Sequence, residues 1–251
     1  MNAPVTHSRV IATLVTLALS LPATATAGLR IAVSSNFTET LRTLADTFEE
    51  RSRESITIIP GSTGKLYAQI RNGAPFDVFL AADAERPTAL EKDGHCVAGS
   101  RMTYAVGRLA LWTSHMDMND VAALLTAKPQ PRIAIANPEL APYGRAAHET
   151  LTSLQLWDSY SSRLVRGENV GQTMQFVHSG NATAGFVAYS QILRLPANQE
   201  GSHWMVPDDL YTPVAQQAVL VRETPAGRQF LAFLGSPGAL QIVRAAGYDT
   251  P

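Results

Sequence analysis

Short apolar runs along the chain alternate with segments whose apolar residues recur every three or four positions. The run 29–33 is followed by helical spacing over 37–48, and the run 56–59 is followed by helical spacing over 66–70. The first pattern is typical of buried strands and the second of amphipathic helices. Strands that alternate with helices through short connections predict a parallel sheet covered by helices.

A second series of strands and helices follows the first. The segment 104–112 is long, β-rich and interrupted by Gly107, so we expect it to leave one sheet and enter another. We expect 202–204 to be a surface loop, and 105–107 and 210–213 to be hinge segments. The further predicted strands are 132–136, 163–165, 184–189 and 214–221, and the further predicted helices are 145–154, 172–179, 227–234 and 237–246.

Composition places the chain among globular proteins and argues against some partners. Its 251 residues are 45% hydrophobic and 16% charged, with a formal net charge of −1, which is enough apolar material for a sizeable core. Without a run of Lys or Arg, nucleic acid is a poor partner. A single cysteine, Cys96, excludes an intrachain disulfide, and the scattered histidines lack the spacing of a zinc site.

The first 27 residues have the pattern of a signal peptide. His7 and Arg9 precede an apolar run over 10–21, and Ala25-Thr26-Ala27 follows it. The apolar run is shorter than the roughly 20 residues that a membrane-spanning helix needs. We therefore predict cleavage after Ala27 and an exported, soluble mature protein.

Four of the predicted strand-to-helix connections share one chemical character, being small and either neutral and polar or glycine-bearing. They are 34–36, 62–64, 141–144 and 169–171. Helix N-termini favour anions, and open parallel sheets bind ligands beyond the carboxyl ends of their strands. Two facing sheets would place all four N-termini around one cleft. The alternative is that each loop is only a helix cap, as Ser, Thr and Asn often are.

The stretch 61–65 contains a lysine beside two glycines, which suggests a phosphate-binding P-loop. That motif requires four residues between its glycines and then Lys and Ser or Thr, whereas only Ser62 and Thr63 separate the glycines here and Leu66 follows Lys65. We expect Lys65 to point outward. The donors that the four loops offer are hydroxyls, amides and backbone N–H groups, which do not titrate near neutral pH and can hold a dianion without a metal.

Several motifs, in this order and spacing, resemble the periplasmic molybdate-binding proteins of ABC transporters, over about 29–248. They are Ser-Ser-Asn-Phe after the first strand, Gly-Ser-Thr-Gly at 61–64, the blocks 72–83 and 137–144, and Asn-Val-Gly-Gln at 169–172. The resemblance implies an α/β fold of the type II periplasmic binding proteins, with a ligand cleft between two lobes of mostly parallel sheet. The lobes would be 28–105 plus 213–251 and 106–212, after a signal peptide at 1–27.

The resemblance also implies a ligand set, a partner and a compartment. Molybdate or tungstate would be held by hydroxyls and backbone N–H groups of Ser35, Asn36, Thr63, Tyr143 and Val170, the last through its backbone. Some family members add a tyrosine hydroxyl at a position that is Ala188 here, so this chain departs from them. We expect no cofactor, a periplasmic monomer, and delivery of the anion to an ABC permease.

Two other functions remain open at this point. A receptor of the same fold could bind sulfate or phosphate, although protonated phosphate benefits from a carboxylate acceptor and only Glu168 lies at the edge of a loop. An exported enzyme would need a nucleophile and a base, and the chain has no Gly-x-Ser-x-Gly motif. Asp77 and Asp83 flank an apolar strand, where we expect caps or ion pairs between lobes. We therefore predict a binding protein and not an enzyme.

Overall fold

The structure, a computed structural model, describes residues 28–114 and 117–251. The predicted signal peptide lies outside the described residues. The strands are β1 (Leu29–Ser34), β2 (Ile56–Gly61), β3 (Val78–Leu80), β4 (Met102–Gly107), β5 (Leu109–Thr113), β6 (Ile133–Ala136), β7 (Val165–Gly167), β8 (Ala184–Ala188), β9 (Ser202–Met205) and β10 (Val214–Leu220).

The helices are spread over the whole described chain. They are α1 (Thr38–Ser52), α2 (Thr63–Arg71), α3 (Glu85–Lys92), α4 (Val121–Thr126), α5 (Pro142–Ser153), α6 (Trp157–Tyr160), α7 (Val170–His178), α8 (Tyr189–Ile192), α9 (Pro225–Leu234) and α10 (Pro237–Ala245). Short 3-10 turns cover Ser35–Phe37 and Asp208–Leu210. The one-turn helices α6 and α8 were not predicted, since four residues are too few to show a period.

The strands form two five-stranded sheets, in the orders β2-β1-β3-β10-β4 and β7-β6-β8-β5-β9. We call the first sheet with α1–α3, α9 and α10 the first lobe, and the second sheet with α4–α8 the second lobe. The two-lobed α/β fold is confirmed. In each sheet four of the five strands run in one direction, so the sheets are mostly parallel as expected. The exceptions among the described strands are β10, which runs antiparallel to β3 and β4, and β5, which runs antiparallel to β8 and β9.

The chain passes between the sheets twice. Only Arg108 separates β4 in the first sheet from β5 in the second, so one nearly continuous strand serves both, as its length and Gly107 predicted. The chain returns between β9 and β10. Val106 and Gly107 pair with β10, so the first sheet includes two residues beyond position 105.

Each lobe has its own buried core. In the first lobe, Phe48 of α1 packs edge-on against Phe230 of α9, with 5.4 Å between ring centroids. In the second lobe, Trp112, Phe186 and Tyr160 are fully buried. Burying a large apolar side chain contributes roughly 1.5–3 kcal/mol, so these side chains stabilise each lobe from within.

The prediction of a loop at 202–204 is wrong, because Ser202–Met205 is the edge strand β9. It pairs with β5, with His203 opposite Trp112, and the Trp112 indole N–H donates to the Glu200 carbonyl at 2.6 Å. These partners lie far away in sequence, so a four-residue strand of this kind leaves no local pattern. Within the described ranges, no helix combines the length and apolarity needed to cross a membrane.

Candidate anion-binding site

A small cavity lies between the lobes where the four predicted loops meet. Its volume is only about 10 Å³, so the two lobes approach each other closely there. Its lining residues are Ser34, Ser35, Asn36, Gly61, Ser62, Thr63 and Ala82 of the first lobe, and Ala141, Pro142, Tyr143, Asn169 and Val170 of the second. All five predicted site residues are therefore in this lining; their role as ligands stays a prediction.

Two hydroxyls of the first lobe form a pair in the cavity wall. Ser34 Oγ lies 2.5 Å from Thr63 Oγ1, and the Ala82 N–H donates to both oxygens, at 3.0 and 3.3 Å. Their mutual hydrogen bond uses one of the two hydroxyl hydrogens, which leaves the other free to donate to an anion. The Ala82 N–H thus holds the two hydroxyls in place, and one hydroxyl hydrogen of the pair stays available for an anion.

Ser34 lines the cavity and was not among the site residues predicted from the sequence. We assigned the preceding strand to 29–33 and chose Ser35 from the Ser-Ser pair, whereas β1 includes Ser34 and buries its side chain. The alternation of side chains along β1 could have identified Ser34 from the sequence. Val33 and Ser34 must point to opposite faces, and Ser34 continues the face of Ala32.

Ser35 joins the two lobes across the cleft. Its Oγ accepts a hydrogen bond from the Gly171 N–H at 3.3 Å, and Gly171 lies in the first turn of α7. The hydroxyl hydrogen of Ser35 stays available for a second bond. Ser35 therefore both lines the cavity and contacts the loop of the second lobe.

Asn36 lines the cavity, but its side-chain amide is committed elsewhere. Nδ2 donates to Gln216 Oε1 at 3.0 Å and to the Tyr248 hydroxyl at 3.1 Å. Both amide hydrogens are used, because an asparagine amide carries two. We had expected the side chain to act as a donor to the ligand; in this arrangement Asn36 can offer the cavity its backbone N–H.

Tyr143 is the second residue of α5, and its hydroxyl reaches the first lobe. The hydroxyl accepts from Gln216 Nε2 at 3.4 Å, beside the crossover at Gly107. Burial raises the Tyr143 pKa well above its usual value, so the side chain stays neutral. Pro142 has no N–H, and the Tyr143 N–H precedes the first intrahelical bond, so it is the donor that this helix can present.

Helices α2 and α7 begin at the cavity in the same way. Their N-caps are Ser62 and Asn169, whose side chains accept from the third residue of each helix. Thr63 and Val170 are the first helical residues, whose N–H groups have no acceptor within the helix. The aligned peptide dipoles add positive potential at each terminus.

The charged groups near the cleft pair with one another and do not line the cavity. Lys65 points outward, as predicted, to Glu168 of the second lobe. Asp83 bonds to Arg86 and lies 3.8 Å from Arg145 of the second lobe, an ion pair between lobes of the kind we expected. Burial nevertheless raises the pKa of Asp83, against the opposing effect of Arg86.

Other candidates for chemistry lie outside this site. Asp77 forms an ion pair with Arg222 at 2.6 Å within the first lobe. Burial raises the pKa of Cys96 to about 11, so its thiol is a poor nucleophile at neutral pH. In the described part of the chain, no group of three or more His, Cys, Asp or Glu side chains could hold a metal ion.

A cleft closed by two lobes and walled by neutral donors is the arrangement of a receptor for a small solute. The family model for bacterial extracellular solute-binding proteins matches residues 29–249. The chain belongs to this family. The resemblance drawn from the sequence is confirmed, and the relatives are binding proteins of transport systems and not enzymes.

Three relatives show how far the similarity extends. The chain is 43% identical to the molybdate-binding protein ModA of Azotobacter vinelandii, over 88% of this chain and 90% of that one. It is 42% identical to ModA of Rhodobacter capsulatus, over 95% of each chain. The solved periplasmic molybdate-binding protein of A. vinelandii superimposes with a TM-score of 0.84 at 40% identity, covering 89% of this chain and 99% of that one.

Proposed function

We propose that this protein binds molybdate or tungstate in the periplasm and delivers the anion to the permease of an ABC transporter. The observation that carries the proposal is the small cavity between the lobes, which is lined by neutral hydroxyls and helix N-termini. Relatives that span nearly the whole chain are named as molybdate-binding proteins, which supports the same ligand.

The donor set favours an oxyanion that is fully deprotonated. Hydroxyls and N–H groups can donate hydrogen bonds to the oxygens of such an anion, and the helix dipoles spread the compensating charge. A protonated phosphate would also need an acceptor for its hydrogen. No carboxylate is among the described lining residues, and Glu168, the nearest to the loops in sequence, is paired with Lys65.

Binding would proceed by closure of the lobes around the anion. The crossover at Arg108 and the return segment between β9 and β10 are the connections that can act as hinges. Closure brings Val170 and Tyr143 of the second lobe to the hydroxyls of the first, so the permease can recognise the loaded protein by its closed shape. The cycle requires no cofactor.

Calorimetry on residues 28–251 with molybdate, tungstate, sulfate and phosphate tests this proposal. We expect tight binding of molybdate and tungstate and far weaker binding of the other two. Molybdate and tungstate need not differ, because the same donors serve both. Sulfate binding as tight as molybdate binding would overturn the assignment of the ligand, while binding of none of the four would overturn the assignment of an oxyanion receptor.

Export and oligomeric state are part of the same proposal. We infer that residues 1–27 are a signal peptide and that the mature protein is a monomer, the form in which one receptor can close around one anion. Mass spectrometry of protein secreted into the periplasm should give a mature chain that begins at Gly28. Light scattering should give one chain per particle, with and without molybdate.

A further inference from the structure

A buried hydrogen-bond network lies behind the anion cavity, centred on Gln216. The Gln216 side chain is fully buried. Its Oε1 accepts from Asn36 Nδ2 at 3.0 Å and from the Tyr104 hydroxyl at 3.1 Å, and its Nε2 donates to the Tyr143 hydroxyl at 3.4 Å. The amide is therefore bonded on both sides, which a buried amide requires.

The network joins elements that belong to different lobes. Asn36 is in the ligand loop of the first lobe, and Tyr104 and Gln216 are on β4 and β10, the strands next to the two crossovers. Tyr143 is in the first turn of α5 in the second lobe. Because the Gln216–Tyr143 bond crosses between lobes, a rotation of one lobe against the other changes it, while the bonds to Asn36 and Tyr104 stay within one body.

Asn36 depends on this network for its position. Both hydrogens of its amide are held, one by Gln216 and one by the Tyr248 hydroxyl. The main-chain carbonyl of Asn36 accepts from the Tyr248 hydroxyl at 2.8 Å, and that hydroxyl in turn accepts from the Ser190 hydroxyl of the second lobe at 2.8 Å. Asn36, which lines the cavity, is thus held by groups that also contact the second lobe.

We propose that Gln216 is a positioning residue that couples lobe closure, through Tyr143, to the anion-binding loop at Asn36. The inference rests on the proposed function, since it concerns the same oxyanion site. Gln216 does not contact the cavity. Gln216 stabilises the closed form through its hydrogen bond to Tyr143, which forms when the lobes close. The same side-chain amide holds Asn36 in the orientation that binds the anion.

The test measures the release rate of molybdate by stopped flow for Tyr143→Phe, Gln216→Met and the double variant. Tyr143→Phe removes only the hydroxyl, and Gln216→Met keeps the length of the side chain without its hydrogen bonds. We expect Tyr143→Phe to raise the release rate roughly two- to tenfold, the factor that corresponds to one neutral hydrogen bond. The association rate should change less than the release rate, because the bond forms as the lobes close.

Coupling predicts that the two changes are not additive. In the Gln216→Met background, Tyr143→Phe should have little further effect on release, since their shared bond is already lost. Additive effects, or wild-type release from Tyr143→Phe, would overturn the inference. If Gln216→Met does not fold, Tyr143→Phe alone still decides, through its release rate compared with its association rate.

Tyr160→Phe is the matched control. Tyr160 is also a buried tyrosine of the second lobe, and its hydroxyl donates to the Leu125 carbonyl at 2.9 Å, away from the cavity. We expect a lower melting temperature and unchanged release. If wild-type protein binds another oxyanion and not molybdate, the proposed ligand fails, and the release measurements with that anion still decide the role of Gln216. If it binds none, both proposals fail.

Discussion

Lys65 Nζ lies 2.6 Å from Glu168 Oε2, and this ion pair joins the two lobes across the cleft. Lys65 follows the glycine loop at the start of α2, and Glu168 precedes α7. The lysine that suggests a phosphate loop in the sequence is thus neutralised by a partner on the opposite lobe. Its side chain is 50% exposed and that of Glu168 is 41% exposed, so the pair is weak and sensitive to salt.

Replacing Lys65 by Met should therefore change release of the anion only modestly. An exposed ion pair is worth about 0–1 kcal/mol, which corresponds to at most about a fivefold faster release at low salt. At ~1 M salt, where charges are screened within about 3 Å, the difference should vanish. Stopped-flow release of molybdate at both salt concentrations measures this.

Arg228→Met is the control for Lys65→Met. Arg228 forms an equally short exposed pair with Glu223, at 2.6 Å, but both residues belong to the first lobe. Release should stay at the wild-type rate. A loss of affinity beyond a hundredfold in Lys65→Met would contradict our interpretation, because it would mean that Lys65 contacts the anion directly.

Thr63→Val should weaken molybdate binding by roughly 1.5–3 kcal/mol, the value of a hydrogen bond to a charged group. Valine keeps the shape of threonine and removes the hydroxyl that pairs with Ser34. Calorimetry on the variant gives the affinity. Thr113→Val is the control, because Thr113 is equally buried but donates to the Thr183 carbonyl at 2.8 Å in the second sheet. If Thr63→Val binds molybdate as tightly as the wild type, Thr63 has only a structural role.

The sequence was informative about where the loops lie and less so about side-chain directions. Strand-to-helix connections have local signals, and all four predicted loops reach one cavity. Which atom of each residue faces that cavity depends on partners far away in the chain. Asn36 turns to Gln216, 180 positions away, and Tyr143 turns to the same residue, 73 positions away.

Sheet topology shows the same limit. The β-α pattern predicted parallel strands correctly for β1, β2 and β3, since helical crossovers require that direction. The antiparallel strand β10 arrives from the other lobe, and its position between β3 and β4 is set by the tertiary fold. Edge strand β9 is held by β5 in the same non-local way.

Affinity for molybdate should be independent of pH between about pH 6 and about pH 9. The donors that line the cavity are hydroxyls and N–H groups, which do not titrate in this range. Burial also keeps Tyr143 neutral by raising its pKa. Calorimetry across this range tests the point, and a tenfold change in affinity per pH unit would show that a titrating group takes part in binding.

Stability, in contrast, should fall at alkaline pH. Burial raises the pKa of Tyr248 from 10.0 to about 12, so the unfolded chain loses this proton before the folded one. Between these two values the free energy of unfolding decreases with rising pH by ~1.4 kcal/mol per unit for each such tyrosine. Urea unfolding at a series of pH values should show this slope, and Tyr248→Phe should reduce it. An unchanged slope in the variant would contradict the role of Tyr248.

Gly107→Ala should hinder closure of the lobes. A Cβ atom at Gly107 would overlap the Tyr143 hydroxyl of the second lobe and lie 2.7 Å from Gln216 Nε2 of the first. The Tyr143 side chain must therefore move for the lobes to close, and the Gln216 side chain must shift within the first lobe. Because the φ angle of Gly107 is not in the left-handed region, alanine fits the backbone. The contact with Tyr143 should hinder closure, and the contact with Gln216 should lower the melting temperature. We expect affinity to fall more than about tenfold, the loss that corresponds to ~1.4 kcal/mol.

Small-angle scattering separates a closure defect from a folding defect in Gly107→Ala. Wild-type protein should become more compact when molybdate is added, whereas the variant should stay extended at the same molybdate concentration. Gly238→Ala is the control, since nothing lies within 4 Å of a Cβ atom at that position in α10. It should bind and close like the wild type. Full compaction of Gly107→Ala at wild-type affinity would show that the space beside Tyr143 and Gln216 does not limit closure.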